Sequence, residues 1–209
     1  MHPIATPHPP CVLFVTGHPA SGKSSVAARL NAHLGWPLLA KDRIKERLLD
    51  VLPALATSAL GPATWTLVYD TLELLLHTGS SVLMEGNFWT TEARPRLQAI
   101  LEPSRHRVLE ITLAASAELL VQRYVSRLAD PERPTSHVRG LVDPTAYIAH
   151  AVERPYEPLN LSADVLRLDT DDWSQVPWDG IVRWVHERML RSEGASTRNG
   201  EASRAGDCR

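Results

Sequence analysis

Residues 11–24, CVLFVTGHPASGKS, join a short apolar run to a glycine-bounded loop and the start of an amphipathic segment. Residues 11–16 are apolar and rich in β-formers, which is typical of a strand buried in a parallel sheet. Val26, Leu30 and Leu34 then recur at helical spacing, so we predict a helix over residues 23–34 that ends at Gly35. This stretch therefore predicts a strand–loop–helix unit.

The loop in this unit has the pattern Gly-x-x-x-x-Gly-Lys-Ser, which is typical of phosphate binding. Its glycines allow backbone angles at which successive N–H groups surround phosphate oxygens, and the helix that follows adds its positive end. The Lys23 ammonium is expected to reach the β- and γ-phosphates, and the Ser24 hydroxyl to bind Mg²⁺. We expect His18 to face the nucleotide in a structural role. The predicted ATP-binding residues are Gly17, His18, Pro19, Ala20, Ser21, Gly22, Lys23, Ser24, Ser25 and Arg123.

The remaining sequence alternates between short apolar runs and amphipathic segments. We predict further strands over residues 36–40, 81–85, 107–113 and 164–168. We predict helices over residues 63–77, 91–101, 116–128 and 178–190, with others starting near Asp42 and at Pro144. Residues 53–62 are expected to form a loop. The fold class is therefore α/β, with a five-stranded parallel sheet, helices on both faces and a small helical lid over about residues 123–143.

Composition limits the class of protein. The 209 residues are enough for one domain with a small lid, and the net charge of −2 provides no general attraction for nucleic acid or an anionic membrane. Two cysteines fit the reducing cytoplasm, and no apolar run approaches the roughly 20 residues that span a bilayer. We expect a flexible arm over residues 1–10, the domain over 11–191 and a disordered tail over 192–209.

Acidic and polar residues follow two of the predicted strands, where ligands of parallel sheets bind. Asp42 follows the second strand and could accept the proton of a substrate hydroxyl, or it could be a helix N-cap. Glu85 ends the third strand and could hold Mg²⁺ through water or orient an acceptor, the alternative being an ordinary strand-terminal acid. Asn87, Phe88 and Trp89 suit an acceptor pocket, although the aromatic pair could simply pack the loop.

Basic residues precede the fifth predicted strand. Arg123 and Arg127 lie four apart and share one helix face, and Arg133 and His137 follow in a segment broken by proline. A cationic lid of this kind would neutralise a transferring phosphoryl group and exclude water. The alternative is a solvated helix face.

Taken together, the phosphate loop, DRIKE at 42–46, VLMEGNF at 82–88 and the basic residues resemble the small P-loop kinases of the AAA-domain kinase group. Relatives in that group include chloramphenicol phosphotransferase, zeta-toxin-type kinases and polynucleotide 5′-kinase domains. The resemblance covers about residues 11–190. It implies the P-loop kinase fold, ATP with Mg²⁺, an acid after the second strand as general base, and lid arginines. These roles would fall on Asp42, Arg123 and Arg127. The lid here reads RPTSH at 133–137, where members of the group often have His-Pro-Gly-His.

The sequence thus predicts an ATP-dependent kinase that transfers the γ-phosphate to a hydroxyl of a small molecule such as an antibiotic, a nucleoside or nucleotide, or a sugar. A polynucleotide 5′-kinase and a nucleotide-binding regulator without transfer activity remain as alternatives. A GTPase is disfavoured because no Asn-Lys-x-Asp run is present. The predicted catalytic residues are Lys23, Asp42, Arg123 and Arg127, and the predicted metal-binding residues are Ser24 and Glu85. The predicted acceptor-binding residues are Asp42, Arg43, Glu85, Asn87, Arg133 and His137.

Overall fold

The computed structural model describes residues 9–54, 57–130, 143–162 and 164–190. Its strands are β1 (Cys11–Gly17), β2 (Leu38–Ala40), β3 (Val82–Glu85), β4 (Arg107–Ala114) and β5 (Val165–Asp169). Its α-helices are α1 (Lys23–Leu34), α2 (Lys41–Val51), α3 (Thr57–His77), α4 (Thr90–Leu101), α5 (Ala117–Leu128), α6 (Pro144–Glu153) and α7 (Trp178–Leu190). A single 3₁₀ turn, Trp173–Gln175, precedes α7.

The five strands form one parallel sheet in the order β2-β3-β1-β4-β5, which confirms the predicted α/β fold. The connection from β1 runs to the β2 side of the sheet, and the connection from β3 crosses to the β4 side. The crevice beyond the carboxyl end of β1 is therefore the point where the winding reverses, and ligands of such sheets bind there. The predicted phosphate loop follows β1 and lies in this crevice.

Side chains of β1 alternate between two hydrophobic layers, as the two-residue period of a strand requires. Leu13 and Val15 pack with α1 and α7, whereas Val12 and Phe14 pack with α3 and α4, and all four side chains are fully buried. Helices therefore cover both faces of the sheet, as predicted. The phosphate loop therefore starts from a strand that is buried on both faces.

The start of α3 differs from the sequence prediction. Residues 57–62 were predicted to belong to a loop over residues 53–62, but α3 begins at Thr57 and contains Pro62. A proline in a helix removes one intrahelical hydrogen bond. Here the turn around it buries Leu60 and Thr64 completely, and the Thr64 hydroxyl donates to the Leu60 carbonyl at 2.7 Å. This burial favours the helix over the local preference of the proline.

Several predicted segments lie outside the described residues. These are most of the arm (1–8), most of the lid (131–142, with Arg133 and His137) and the tail (191–209). The predicted helix at Pro144 is confirmed, with the Asp143 carboxylate accepting from the N–H groups of Thr145 and Ala146. Within the described ranges, no helix is both long and apolar enough to cross a membrane.

Candidate active site

The phosphate loop depends on glycine at both ends of its motif. Gly17 and Gly22 have φ values of 142° and 92°, in the left-handed region that favours glycine. A Cβ atom on Gly17 would lie 2.6 Å from the Leu113 carbonyl oxygen, and one on Gly22 would lie 2.1 Å from the Trp173 ring. Gly22 is also the N-cap of α1, so the loop leads directly into the positive end of that helix.

Lys23 is the first residue of α1, and its side chain is buried. Its ammonium donates to the His18 carbonyl at 2.6 Å, which turns it back across the loop. Burial lowers the pKa of Lys23 to about 8, although the carboxylates of Glu85 and Asp42 partly oppose this shift. A phosphate in the loop would add a further negative partner for the buried ammonium.

This lowered pKa predicts how nucleotide affinity depends on pH. Phosphates bind the protonated ammonium, so above pH 8 the free protein must take up a proton when it binds ADP. We expect the Kd for metal-free ADP to be nearly constant from neutral pH to pH 8 and then to rise roughly tenfold per pH unit. Calorimetric titrations across pH measure it. Lys23→Met should bind ADP weakly at every pH, and an unchanged pH dependence in that variant would contradict the assignment.

Ser24 and Glu85 supply oxygen atoms beside Lys23. The Ser24 hydroxyl donates to the Glu85 carboxylate at 3.4 Å, and Glu85 is buried at the end of β3. Burial raises the pKa of Glu85, while the Lys23 ammonium lowers it. Hydroxyl and carboxylate oxygens are ligands that Mg²⁺ prefers, so this pair fits the predicted metal. Bound Mg²⁺ would supply positive charge against the phosphates.

The Glu85→Gln substitution tests this metal assignment. The amide keeps the size of the side chain but removes its charge, so we expect Mg²⁺ to bind the nucleotide complex about 10- to 100-fold more weakly. The binding of metal-free ADP should change much less, because Lys23 and the loop remain. Titrating Mg²⁺ into the ADP complex measures both quantities. If the variant loses as much affinity for metal-free ADP as for Mg²⁺, Glu85 supports the structure of the phosphate loop instead of the metal.

Asp42 lies in the first turn of α2 and is not the N-cap that the sequence allowed. Ala40 occupies the N-cap position because β2 runs into α2 without an intervening turn, so the helix starts at Lys41. The Lys41 ammonium contacts one carboxylate oxygen of Asp42 at 2.8 Å. The carboxylate is about one-third exposed. It lies beyond the carboxyl end of β2, an edge strand of the sheet, and its charge acts on Lys23.

One cavity of about 610 Å³ connects these groups. Its lining combines residues of the phosphate loop with Lys41, Lys45, Asn87, Arg127 and Tyr147. Asp42 and Glu85 also line it. Of the predicted site residues, Pro19, Ala20, Gly22, Lys23, Ser24, Ser25, Asp42, Glu85, Asn87 and Arg127 all line this space. Arg43 instead lines a second cavity of about 520 Å³, which shares Ser24, Asp42 and Glu85 with the first.

The two arginines of α5 have different surroundings although they share a helix face. Arg127 lines the cavity, and its guanidinium donates to the Ala20 carbonyl of the phosphate loop at 3.2 Å. Arg123 does not line the cavity, because its guanidinium donates to the carbonyls of Thr170 and Asp171 at 2.7 and 3.2 Å. Arg123 therefore binds the segment after β5. The sequence had instead predicted a catalytic and ATP-binding role for this arginine.

His18 does not face the cavity, which corrects the predicted orientation. Its ring packs edge-on against Tyr156 and Trp89, with centroids 5.3 and 5.8 Å away. Only its carbonyl takes part in the loop, as the acceptor for Lys23. Phe88 and Trp89 likewise pack the interior of the loop region, Phe88 being fully buried against Phe14. The polar Asn87 alone of this trio reaches the cavity.

Sequence reasoning missed five cavity residues and one support beneath the site. The cavity residues are Lys41, Lys45, Tyr124, Asp130 and Tyr147. The support is Glu110, which is buried in β4 and accepts hydrogen bonds from Thr16, Thr112 and the Leu159 N–H. A signal for Glu110 existed, because an acid inside an apolar strand is costly unless it has partners. The sequence also contained a signal for Lys41 and Lys45, because their spacing of four places them on one helix face.

This fold and site define a P-loop kinase: a parallel sheet in the order above, a phosphate loop after its central strand, and carboxylates beyond two neighbouring strands. A family model described as an AAA domain matches residues 12–143, and the chain belongs to that family.

Solved structures agree with this class. A protein assigned as a kinase from Chloroflexus aurantiacus is 29% identical, with a TM-score of 0.78 over 88% of this chain and 100% of that one. Shikimate kinase from Acinetobacter baumannii is 18% identical, with a TM-score of 0.56 over 87% of this chain and 96% of that one. A gluconokinase from Sinorhizobium meliloti is 17% identical, with a TM-score of 0.52 over 87% of this chain and 92% of that one. The last two show the fold alone. A comparison with curated proteins finds no match.

Proposed function

We propose that this protein is an ATP-dependent kinase that transfers the γ-phosphate to a hydroxyl group of a small molecule. The observation that carries the proposal is that the phosphate loop and Asp42 line the same cavity. The loop supplies groups that hold phosphates. Asp42 supplies a carboxylate beside which an acceptor hydroxyl would bind. The cytoplasmic location predicted from cysteine usage is part of this proposal.

The transfer would use these side chains as follows. The acceptor hydroxyl oxygen attacks the γ-phosphorus, and the bond from that phosphorus to the β,γ-bridging oxygen breaks, so that ADP leaves with the bonding electrons. The hydroxyl proton passes to the Asp42 carboxylate, which acts as general base. Lys23 and Arg127 stabilise the negative charge on the phosphate oxygens. Ser24 and Glu85 would hold Mg²⁺ against the nucleotide.

A screen of hydroxyl compounds tests this function. The protein is incubated with Mg²⁺ and ATP and each compound, and ADP formation and the ³¹P spectrum are recorded. We expect ADP and a new phosphate ester in equal amounts with an accepted compound. Hydrolysis to ADP and free phosphate at a rate that no compound changes would contradict the kinase assignment.

The polynucleotide alternative requires a separate measurement. Single-stranded oligonucleotides with a 5′-hydroxyl can be tested by filter binding at low and high salt. Binding through phosphates weakens steeply with salt. We expect no salt-dependent retention, because the net charge of −2 gives the chain no general attraction for polyanions. Strong retention that salt abolishes would favour the polynucleotide substrate.

A further inference from the structure

The lysines of this chain have an unusual distribution. The sequence contains three lysines and nineteen arginines. All three lysines, Lys23, Lys41 and Lys45, line the cavity of about 610 Å³. Arginine carries a planar fork of donors, whereas lysine carries a compact ammonium on a flexible stem. The chain uses arginine at its other Lys/Arg positions, so every ammonium side chain that it has lines this one cavity.

Only one of these lysines belongs to the phosphate loop. Lys41 and Lys45 come from α2, where they are four residues apart and so share one helix face. Asn87, which follows β3, and Tyr147 of α6 line the same cavity. Because Lys41 contacts Asp42 at 2.8 Å, this helix face lies beside the carboxylate that would activate the acceptor hydroxyl.

Lys45 lies close to a second ammonium group as well as to carboxylates. The Lys45 side chain is partly buried, and this burial together with the Lys41 ammonium lowers the pKa of Lys45. The opposing charges on Lys45 are Asp42 and Glu46. Three carboxylates line the cavity with the lysines: Asp42, which contacts Lys41, Glu85, which accepts from Ser24, and Asp130. Two neighbouring ammonium groups that lose water are unfavourable, and an anion between them would relieve this cost.

We propose that the acceptor carries an anionic group, a carboxylate or a phosphate, in addition to its reacting hydroxyl, and that Lys45 with Lys41 binds this group. The inference rests on the proposed kinase function and narrows its substrate class. The hydroxyl lies at Asp42 and the anion toward Lys45, so one face of α2 sets the spacing between them. Hydroxy acids and phosphorylated sugars or nucleotides fit this arrangement, whereas uncharged sugars, nucleosides and antibiotics do not.

The small number of lysines makes a direct test available. Full-length protein produced with ¹³C-labelled lysine gives one side-chain Cε–Hε signal for each of Lys23, Lys41 and Lys45. The variants Lys41→Arg and Lys45→Arg assign two of these signals, and the remaining signal belongs to Lys23. Mg²⁺ and ADP are added to saturation first. Glycerol, D-glycerate and glycerol 3-phosphate are then titrated separately, because they share three carbons and differ in charge.

We expect ADP to move the Lys23 signal. The Lys45 and Lys41 signals should then move with D-glycerate or glycerol 3-phosphate but not with glycerol, and the more effective anion identifies carboxylate or phosphate. Lys45→Gln should weaken the effective anion about 10- to 100-fold, the usual loss for a hydrogen bond between charged groups. Its Lys23 response to ADP should stay normal, which shows that the variant folds.

Arg47→Gln is the matched control, because it removes one positive charge from the same helix. Arg47 is 74% exposed and pairs with Asp50, so this variant should keep the anion affinity. The proposal is overturned if neither anion moves the Lys45 signal, if glycerol moves it equally, or if Arg47→Gln weakens the anion as much as Lys45→Gln. If ADP does not move the Lys23 signal, that result would instead contradict the kinase function itself.

Discussion

Lys23→Met is expected to lower kcat by about 10²- to 10³-fold, the usual loss when one preorganised donor to a developing negative charge is removed. Methionine keeps most of the unbranched stem and deletes the ammonium. The buried ammonium is held over the loop by the His18 carbonyl at 2.6 Å, so it meets the phosphates without reorganisation. Its pKa of about 8 leaves it mostly charged at neutral pH.

The comparison variant for this experiment is Arg29→Met. Arg29 lies on the same helix, and its guanidinium stacks over Trp178 at 4.1 Å, on the α7 side of the sheet. The Arg29→Met variant therefore loses one positive charge, as Lys23→Met does, but at a site away from the phosphate loop. We expect Arg29→Met to keep kcat, and both variants to show cooperative unfolding in urea. A Lys23→Met enzyme with kcat near that of the parent would remove the ammonium from phosphoryl transfer.

Local signals predicted the phosphate loop and the sheet. The loop pattern specifies positive φ at Gly17 and Gly22 and a helix start directly afterwards, and all of this depends on neighbouring residues. The strands were also recognisable, because buried parallel strands are short continuous apolar runs between turn residues. Glu85 was found for the same reason, since a charged residue at the end of such a run needs a partner.

Long-range contacts decide what the sequence did not reveal. Whether Arg123 or Arg127 reaches the cavity depends on the segment after β5, whose carbonyls bind Arg123. The direction of His18 depends on Tyr156, more than a hundred residues later in the sequence. Lys45 looks like an ordinary exposed helix cation until α2 is placed against the end of β3. No local pattern contains these approaches, so only the folded chain shows them.

Asp42→Asn is expected to lower kcat by about 10²-fold and to leave ADP affinity within a few-fold of the parent. Loss of a general base costs about 10²- to 10⁴-fold. We expect the lower end, because phosphoryl transfer has a loose transition state in which the acceptor proton leaves late. Asparagine keeps an oxygen that can accept from Lys41, so the local contact at 2.8 Å need not be lost.

The outcome also separates the kinase from a nucleotide-binding regulator, which needs the phosphate loop but no proton acceptor. Asp50→Asn serves as the control, since Asp50 lies on the same helix, is 61% exposed and pairs with Arg47. Steady-state assays with an accepted compound give kcat, and ADP titrations give affinity. If Asp42→Asn keeps both near the parent values, Asp42 is not the base. If only kcat falls, Asp42 acts in the transfer step and not in nucleotide binding, although it lines the same cavity as the phosphate loop.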